Sequence, residues 1–385
     1  MSTINEETIA SDHSLRPTHT EIDLGRLSQN YAAIRRHVGA GVRLMPILKA
    51  NAYGHGLVAI ARHMVTLGVD YLGVAVLEEG ILLRQAGITV PILVLGGILG
   101  NQVPQFIAHD LTLTASSVEK LQQIDAAAAA MGRRATVHLK IDTGMERIGV
   151  HYYSAEPLLE AALDCQHCLV EGIYSHFANS DAANLASAQI QLGRFMDVLR
   201  FYEQRGLPRP WAHIANSGGI LQLPESHLDM VRPGILLFGV YPSAEVARTV
   251  LVRPVLSWKS QVVYFKVVQP GHPVSYGSTW QSDTQTRVVT IPVGYGDGYF
   301  RALSNRAEVI IRGKRYPVVG RVCMDQTMVN IGWETAYNGD VVTLLGEADG
   351  AAISCEELAE WAGTVPYEIL TNINTRVPRV YLPPA

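Results

Sequence analysis

The chain has 385 residues, a length that is large for one ordinary domain and suits two. Its 31 lysines and arginines are balanced by 35 aspartates and glutamates, a formal charge of −4, so it has no basic field to attract nucleic acid or anionic lipid. The expected ligand is therefore a small molecule. The longest apolar stretch, residues 88–100, is broken by Pro91 and is shorter than the roughly 18 residues that a membrane span requires.

The first 17 residues are polar and acidic. They have neither the basic start nor the apolar core of a signal peptide, so we predict that residues 1–17 form a mobile tail and that the protein is cytoplasmic.

The four cysteines are too few for a disulfide scaffold in a chain of this length. Cys165 and Cys168 form the pattern CQHC, a spacing that occurs in metal and redox sites. No second pair accompanies it, and an apolar strand follows. A structural role is favoured for both thiols, and no metal site is predicted.

Residues 18–250 alternate short apolar runs with amphipathic segments. Helical spacing is clear in the first segment, where Leu27, Tyr31, Ile34 and Val38 share one face, and again over residues 185–205. Continuous apolar strands between helices imply parallel pairing with both faces covered, and eight such units predict a TIM-type (β/α)8 barrel. The eight apolar runs are residues 42–49, 71–76, 91–96, 111–115, 136–142, 169–177, 211–216 and 230–239.

Residues 251–385 have a different rhythm, with alternating strands separated by glycine and proline turns. This pattern predicts a second, mostly β domain. One helix is expected within it, because Ser354 and Glu357 form a capping box before an apolar run. The predicted strand regions are residues 257–268, 287–296, 308–320, 341–346 and 376–382.

Polar residues cluster at the predicted carboxyl ends of the barrel strands, where barrels of this kind carry their active sites. Any one of these residues has an ordinary structural interpretation, such as a hydrogen-bonded core histidine or an aspartate that caps a turn. Five strands delivering such groups to one mouth favour a functional site. The residues are Lys49, Lys140, Asp142, His176, Asn216, Ser217, Arg232 and Gly234.

Two glycine patterns refine the expected chemistry. The sequence NSGG follows the seventh strand and RPG lies at the eighth, the location where barrels often hold a phosphate with backbone N–H groups. A lysine close to a phosphate site indicates pyridoxal phosphate, because that cofactor needs an amine and a phosphate cradle. This interpretation explains why an apolar strand ends on Lys49.

Ten motifs in order resemble the alanine racemases, pyridoxal-phosphate enzymes of fold type III. The resemblance extends over about residues 20–381 and implies an isomerase with a (β/α)8 barrel and a C-terminal β domain. It also implies a homodimer whose active sites are shared between subunits and whose substrate is alanine. The motifs are LKANAYGHG, LKIDTGMERIG, SHFANSD, ANSGG, VRPGILLFG, VSYGSTW, GYGDGYFR, GRVCMDQTMVNI, PYE and RVPR.

The resemblance also implies two acid/base residues. Lys49 would hold the cofactor and serve one face of the substrate, and the partner subunit's Tyr276 would serve the other, because racemisation removes a proton from one face and returns one to the opposite face. Arg232 would face the pyridine nitrogen and disfavour its protonation, which weakens the cofactor as an electron sink. His176 would link Arg232 to Tyr276 and help the phenol lose its proton.

Further roles follow from the same resemblance. Arg147 and the backbone N–H of Met324 would hold the substrate carboxylate, and Lys140 matches a lysine that some members carry as a carbamate. Two positions depart from the family pattern, Glu146, where many members have glycine, and Thr375, and the extra charge at Glu146 is expected to bear on Arg147. The groups expected around the cofactor phosphate are Tyr53, Ser217, Gly234, Ile235 and Tyr367.

Three other functions use parts of the same machinery. A racemase of broader specificity, acting on serine, lysine or arginine, would differ only in its pocket, but the aromatic Tyr295 and Tyr367 favour a narrow one. A non-catalytic pyridoxal-phosphate carrier would have the barrel without the β domain that carries Tyr276. A related decarboxylase would need contacts for a longer basic substrate, and the sequence contains no signal for these.

Overall fold

The structure, a computed structural model, describes residues 16–384. The predicted tail therefore lies, apart from its last two residues, outside the described part of the chain. Among residues 16–384, none of the helices has both the length and the apolar character that crossing a membrane requires. The chain divides into two compact units. The barrel unit comprises Ser28–Ala52 and Gly56–Val252, and the C-terminal unit comprises the described residues up to Leu27, Tyr53–His55 and those from Arg253 onward.

The barrel unit contains eight principal strands and one short additional strand, all parallel where they pair. Strand β1 (His19–Asp23) precedes them and belongs to the C-terminal unit. The strands of the barrel unit are β2 (Arg43–Leu44), β3 (Leu72–Val74), β4 (Ile92–Val94), β5 (Leu113–Ala115), β6 (Ala135–Asp142), β7 (Val150–His151), β8 (Cys168–Tyr174), β9 (Trp211–His213) and β10 (Met230–Val231).

Hydrogen bonds close these strands into a ring. β3 pairs with β4, β6 pairs with β5 and β8, and β8 pairs with β9. Single bridges continue the ring at Ile47–Gly73 and Leu93–Thr112, and the N–H of Arg232 donates to the carbonyl of Ala215 at 2.9 Å. Finally β10 pairs in parallel with β2. The predicted eight-stranded barrel is confirmed.

Helices alternate with these strands along the chain, as the βα units of such a barrel require. The first of them, α1, begins at Leu24 and carries the predicted face, with Leu27 and Ile34 fully buried. The helices up to residue 252 are α1 (Leu24–Val38), α2 (Leu57–Thr66), α3 (Leu77–Gln85), α4 (Val103–Ala108), α5 (Val118–Ala130), α6 (Glu156–Asp164), α7 (Ala186–Gln204) and α8 (Ser217–Gln222).

The first barrel strand is shorter than predicted. The apolar run covers residues 42–49, but regular pairing extends only over β2 and the isolated bridge at Ile47. Pro46 lies between them and has no N–H to donate to the ladder. Beyond this interruption, Leu48 donates its N–H to the carbonyl of Gly73 at 2.7 Å, so the chain stays on the barrel wall up to Lys49.

The C-terminal unit is mostly β, as predicted. Its larger sheet has the order β15-β14-β17-β11-β1-β19 with β18 beside β17, and a second sheet has the order β12-β13-β16. Its elements after β1 are β11 (Leu256–Gln261), β12 (Tyr264–Val268), β13 (Thr286–Ile291), β14 (Glu308–Ile311), β15 (Lys314–Pro317), β16 (Thr327–Gly332), β17 (Val341–Ala348), β18 (Ala351–Ile353), α9 (Cys355–Ala362), α10 (Pro366–Thr371) and β19 (Arg379–Leu382).

Two details of this unit bear on the sequence analysis. The capping box is present, since Ser354 Oγ accepts the N–H of Glu357 at 3.1 Å and Glu357 Oε2 accepts the N–H of Ser354 at 2.9 Å. The predicted boundary at residue 18 differs from the structure, because β1 pairs antiparallel with β11 and parallel with β19. Its alternate residues Thr20 and Ile22 are fully buried, which places the strand in the core of the C-terminal unit.

Candidate active site

Lys49 begins a short left-handed turn. Ala50, Asn51 and Ala52 have φ values of 53, 56 and 53°, and Tyr53 follows at 52°. This conformation costs roughly 1–2 kcal/mol for each non-glycine residue, and such strain persists where surrounding contacts hold it, often at functional sites. Two contacts hold it here. The N–H of Ala50 donates to Glu79 Oε1 at 2.6 Å, and Asn51 Oδ1 accepts the N–H of Leu57 at 2.8 Å.

The Lys49 side chain is half-buried in a cationic environment. Burial lowers the pKa of its amine, and the guanidinium groups of Arg147 and Arg232 lower it further, while the Glu79 carboxylate opposes them. A lysine with a lowered pKa presents more of the neutral amine, the form that attacks a carbonyl carbon and accepts a proton.

Two more predicted residues lie at the carboxyl end of β6. Lys140 is 3% exposed, and its Nζ donates to the carbonyl of Ile141 at 2.9 Å. Burial and the neighbouring Arg232 lower the pKa of Lys140 to about 7, so a large share of this amine is neutral at physiological pH. Asp142 is equally buried, but its carboxylate accepts N–H groups of the next turn, that of Gly144 at 2.7 Å, and these bonds outweigh burial and keep its pKa low.

The turn after β6 positions Arg147. Asp142 Oδ2 accepts the Arg147 N–H at 3.2 Å, and the guanidinium side chain is exposed. Glu146 has a φ of 54°, the left-handed region where glycine is unstrained, which explains why glycine suits this position. The Glu146 carboxylate lies 2.9 Å from His151 Nε2. Glu146, the departure from the family pattern, was expected to bear on Arg147, but its carboxylate contacts the His151 ring instead.

Arg232 lies just beyond β10 and is 3% exposed. Its Nη2 donates to the carbonyl of Ser175 at 2.7 Å and lies 3.2 Å from His176 Nδ1, and its Nη1 lies 2.7 Å from His213 Nδ1. Burial lowers the pKa of Arg232 to about 10, so the group stays charged at neutral pH. A guanidinium only donates, so both histidines must accept at Nδ1 and carry their proton at Nε2.

A chain of polar groups extends from Arg232 into the barrel. His213 Nε2 lies 2.9 Å from His138 Nδ1, and His138 Nε2 lies 3.5 Å from Glu171 Oε2, which also accepts the Tyr71 hydroxyl at 2.9 Å. Because Arg232 fixes the tautomer of His213, the ring N–H of His213 points to His138. The ring N–H of His138 then points to the Glu171 carboxylate. We refer to Arg232, His213, His138 and Glu171 as the arginine relay.

Sequence reasoning missed three members of the arginine relay. His138, Glu171 and His213 stand inside the apolar runs TVHLKID, LVEGIY and WAHIAN. A polar residue within a buried parallel strand must find a partner inside the barrel, and this signal was available.

The arginine relay predicts acid sensitivity. Burial lowers the pKa of His138 and, more strongly, that of His213, so the folded state binds fewer protons than the unfolded state. The contribution of these two histidines to the free energy of unfolding is therefore fully present above their unfolded-state pKa of about 6.5. It falls as the pH drops below that value, by up to about 1.4 kcal/mol per pH unit for each histidine. Thermal unfolding of the cofactor-loaded protein between about pH 7.5 and 5 measures this loss.

His138→Gln is the matched variant for this experiment, because glutamine takes up no proton. We expect its stability to fall less steeply with acid than that of the parent chain. An identical pH dependence in the two proteins would contradict the assignment.

The glycine patterns form an anion cradle. Asn216 caps α8, accepting the N–H of Gly219 at 3.0 Å. Ser217 is 4% exposed, and its Oγ accepts the N–H of Gly234 at 3.1 Å and that of Leu236 at 3.4 Å. Gly218 is required by close packing, since a Cβ there would lie 2.6 Å from the carbonyl oxygen of Ser180. Backbone N–H groups from two segments and one hydroxyl thus converge at this point, the kinds of group that bind a phosphate. Ile235, buried, begins the 3₁₀ turn that follows Gly234.

The remaining predicted residues belong to the C-terminal unit. Tyr53 is buried and its ring lies 6.1 Å from that of Tyr367, measured between centroids. Tyr276, Met324 and Tyr295 are exposed by 71%, 54% and 43%. The chain segments that carry these three residues contact one another. Ser275 Oγ, next to Tyr276, lies 3.5 Å from Cys323 Sγ, and the Tyr295 N–H donates to the carbonyl of Cys323 at 3.0 Å.

Comparison with known proteins gives the family. Residues 22–242 match the model of the alanine racemase N-terminal domain, and residues 255–381 match that of the alanine racemase C-terminal domain. Alanine racemase 2 of Caldanaerobacter subterraneus subsp. tengcongensis is 42% identical over 370 residues, which are 96% of this chain and 95% of that protein.

Solved structures agree with the sequence matches. The alanine racemase of Streptomyces coelicolor A3(2) has a TM-score of 0.91 and 37% identity, covering 97% of this chain and 99% of that one. The alanine racemase of Bartonella henselae with covalently bound pyridoxal phosphate has a TM-score of 0.86 and 27% identity, covering 95% and 99%. On the domain matches and on this identity over nearly its whole length, the chain belongs to the alanine racemase family.

Proposed function

We propose that the chain racemises alanine by moving a proton at each face of the substrate, with Lys49 at one face and the partner subunit's Tyr276 at the other. The protein is an isomerase that interconverts L-alanine and D-alanine with pyridoxal 5′-phosphate as its cofactor. The observation that carries the two-base proposal is the half-buried Lys49, whose pKa is lowered at the carboxyl end of the first barrel strand.

The residues present fit this cofactor. Lys49 offers the amine that binds it, and the anion cradle of Ser217, Gly234 and Ile235 suits its phosphate, with Tyr53 and Tyr367 as further phosphate neighbours in our proposal. When bound, pyridoxal phosphate supplies an electron-withdrawing ring that makes the α-proton of the amino acid acidic.

Arg232 is proposed to lie against the pyridine nitrogen as a permanent donor. Its carbonyl and imidazole acceptors hold it in place, and the arginine relay joins its charge to the Glu171 carboxylate through two neutral imidazoles. A guanidinium that keeps its proton does not protonate the nitrogen, which limits side reactions that depend on a strong electron sink.

His176 is proposed to assist the second base. Burial and the neighbouring Arg232 hold the pKa of His176 well below its usual range, so the ring is neutral. Its Nδ1 accepts from Arg232, which leaves the Nε2–H free to donate. Donation to the phenol oxygen of the partner subunit's Tyr276 would favour the deprotonated form that a base requires.

For the substrate carboxylate we propose Arg147 and the N–H of Met324. Lys140 supports this role, because its pKa of about 7 provides the neutral amine that carbamate formation requires. Addition of dissolved CO2 to this neutral amine would form the N–C bond, release one proton and place a negative charge beside Arg147. Tyr295 is proposed to narrow the pocket beside the substrate.

The partner is proposed to be a second copy of the chain. Tyr276 and Met324 are exposed, and so are the neighbouring aromatic residues of β12, Tyr264 by 54% and Phe265 by 48%. Apolar and aromatic groups of this size at a surface favour a protein interface. A closed two-fold dimer would bring the Tyr276 of each subunit to the partner's Lys49. We propose that this enzyme acts in the cytoplasm.

A panel of L-amino acids tests the substrate. The purified, cofactor-loaded protein is incubated with alanine, serine, lysine and arginine, and the D-product is resolved by chiral chromatography. We expect D-alanine to form faster than any other D-amino acid, because Tyr295 and Tyr367 favour a narrow pocket. Serine turned over as well as alanine would replace this proposal with the broader racemase.

A further inference from the structure

A cluster of thiol and carboxylate groups lies outside the active site. The ligand atoms of Asp125, Cys165 and Cys168 all lie within 4.8 Å of one another. Asp125 is on α5, Cys165 follows the end of α6, and Cys168 is the first residue of β8. The sequence analysis favoured a structural role for the two cysteines, because no second cysteine pair accompanies them. The structure adds a third group, Asp125, which lies 40 positions before Cys165 in the chain.

We propose that Asp125, Cys165 and Cys168 form a binding site for a soft divalent cation of the zinc type. Zinc in proteins is bound by thiolates at about 2.3 Å and by carboxylate oxygens at about 2.0–2.2 Å, usually with four ligands in a tetrahedron. Two thiolates on one such ion lie about 3.8 Å apart, so the cluster needs to contract by about 1 Å at most. The spacing of two residues between the cysteines is the one that zinc sites commonly use.

The surrounding contacts hold the ligands in this arrangement. Asp125 Oδ1 accepts the N–H of His167 at 2.7 Å, which fixes the turn between the two cysteines against α5. The N–H of Ala135 donates to the carbonyl of His167 at 2.8 Å, and this bond ties the turn to β6. Three protein groups are thus positioned by four elements before any ion binds.

A fourth ligand is available from His167 or from water. The His167 ring is 46% exposed, and its Nδ1 lies 3.9 Å from Asp125 Oδ2. Rotation about the side-chain bonds of an exposed histidine is inexpensive, and imidazole is a common zinc ligand. The Cys168 side chain is buried, whereas Cys165 and Asp125 are partly exposed, so an ion can enter from solvent on their side.

The donor atoms of the cluster suit a soft cation. Two sulfur atoms and one carboxylate oxygen face one another within 4.8 Å. Binding of a divalent cation would release the two thiol protons to solvent and leave a site of three anionic ligands around a charge of +2.

The site is remote from the catalytic mouth. Cys168 begins β8 and Tyr174 ends it, a separation of about 20 Å along the barrel wall, and His176 lies beyond that end. Barrels of this kind carry their active sites at the carboxyl-terminal face, so an ion at the opposite face is expected to stabilise the barrel unit and to leave racemisation unchanged.

Cobalt(II) is the probe, because thiolate-to-cobalt charge-transfer bands report sulfur ligation directly. Purified protein with its cofactor is treated with a chelator, kept under a thiol-free reductant and titrated with Co²⁺ alone. We expect one Co²⁺ per chain with charge-transfer bands, and displacement of the bands by Zn²⁺. Thermal unfolding should shift upward when Zn²⁺ is present.

Variants separate this site from other thiols. Cys165→Ser, at the partly exposed position, should remove the charge-transfer bands, and Asp125→Asn, which keeps its acceptor for the His167 N–H, should weaken Co²⁺ binding by about tenfold or more. Cys355→Ser is the matched control, because Cys355 lies in α9 of the C-terminal unit, and it should bind Co²⁺ as the parent chain does. Bands that are absent in the parent or unchanged in Cys165→Ser would overturn the proposal. A second outcome would also overturn it. In that outcome the reduced protein binds no Co²⁺, and Cys165 and Cys168 form a disulfide when the protein is oxidised.

Discussion

Lys49→Ala is expected to reduce racemisation by at least about 10³-fold, because one change removes the amine that binds the cofactor and one of the two bases. The parent protein should carry a borohydride-reducible bond between cofactor and chain, and the variant should lack it. Reduction, digestion and mass spectrometry would place the label on the peptide that contains Lys49.

Lys140→Ala is the matched control for this prediction. Lys140 is the other lysine close to Arg232 and Arg147, and burial lowers its pKa as well, so it is the natural rival for the cofactor. We expect Lys140→Ala to keep the label on Lys49. A label found on Lys140 in the parent protein would refute the assignment of the cofactor lysine.

The second large effect is a recovery of activity on mixing. Tyr276→Phe should be nearly inactive, because it removes the phenol that serves the opposite face of the substrate. If each active site combines Lys49 of one subunit with Tyr276 of the other, a mixed dimer of Lys49→Ala and Tyr276→Phe chains has one intact site and one with both changes. Random exchange of equal amounts makes about half the dimers mixed, so roughly a quarter of all sites should regain the parent composition.

The measurement is alanine racemisation before and after subunit exchange, with exchange followed independently by differently labelled chains. Each preparation mixed with itself is the control. Demonstrated exchange without recovery would show that the two residues do not come together between subunits, and Tyr276 would then act within its own chain or not at all.

Much of the barrel was predictable, because its strands are buried on both faces. Each of the eight apolar runs overlaps one of the principal strands, and the helix with the Leu27 and Ile34 face lies where its spacing placed it. The boundaries were less accurate. Periodicity detects burial, but strand pairing also needs donors, and Pro46 ends regular pairing inside a run whose hydrophobicity continues to Leu48.

The candidate site was predictable where residues stand at strand ends, and less so where they interact across the barrel. Lys49, Lys140 and Arg232 were found from their positions alone. The arginine relay was missed because its members, such as His138 and Glu171, come from different strands and only the closed ring brings them within hydrogen-bonding distance. Asp125 escaped notice for the same reason, since nothing local in its helix points to two distant cysteines.

The place of β1 in the C-terminal sheet has a consequence for biosynthesis. Thr20 leaves the ribosome long before Pro378, yet its hydroxyl donates to the carbonyl of that residue, 358 positions later. Through most of translation, His19–Asp23 therefore has neither of its neighbouring strands, while the residues of the barrel unit are complete by Val252. Pairing over such a separation is slow, and an unpaired strand invites association with other nascent chains. Expression at lower temperature, or in the presence of chaperones that shield this unpaired strand, should raise the yield of soluble enzyme.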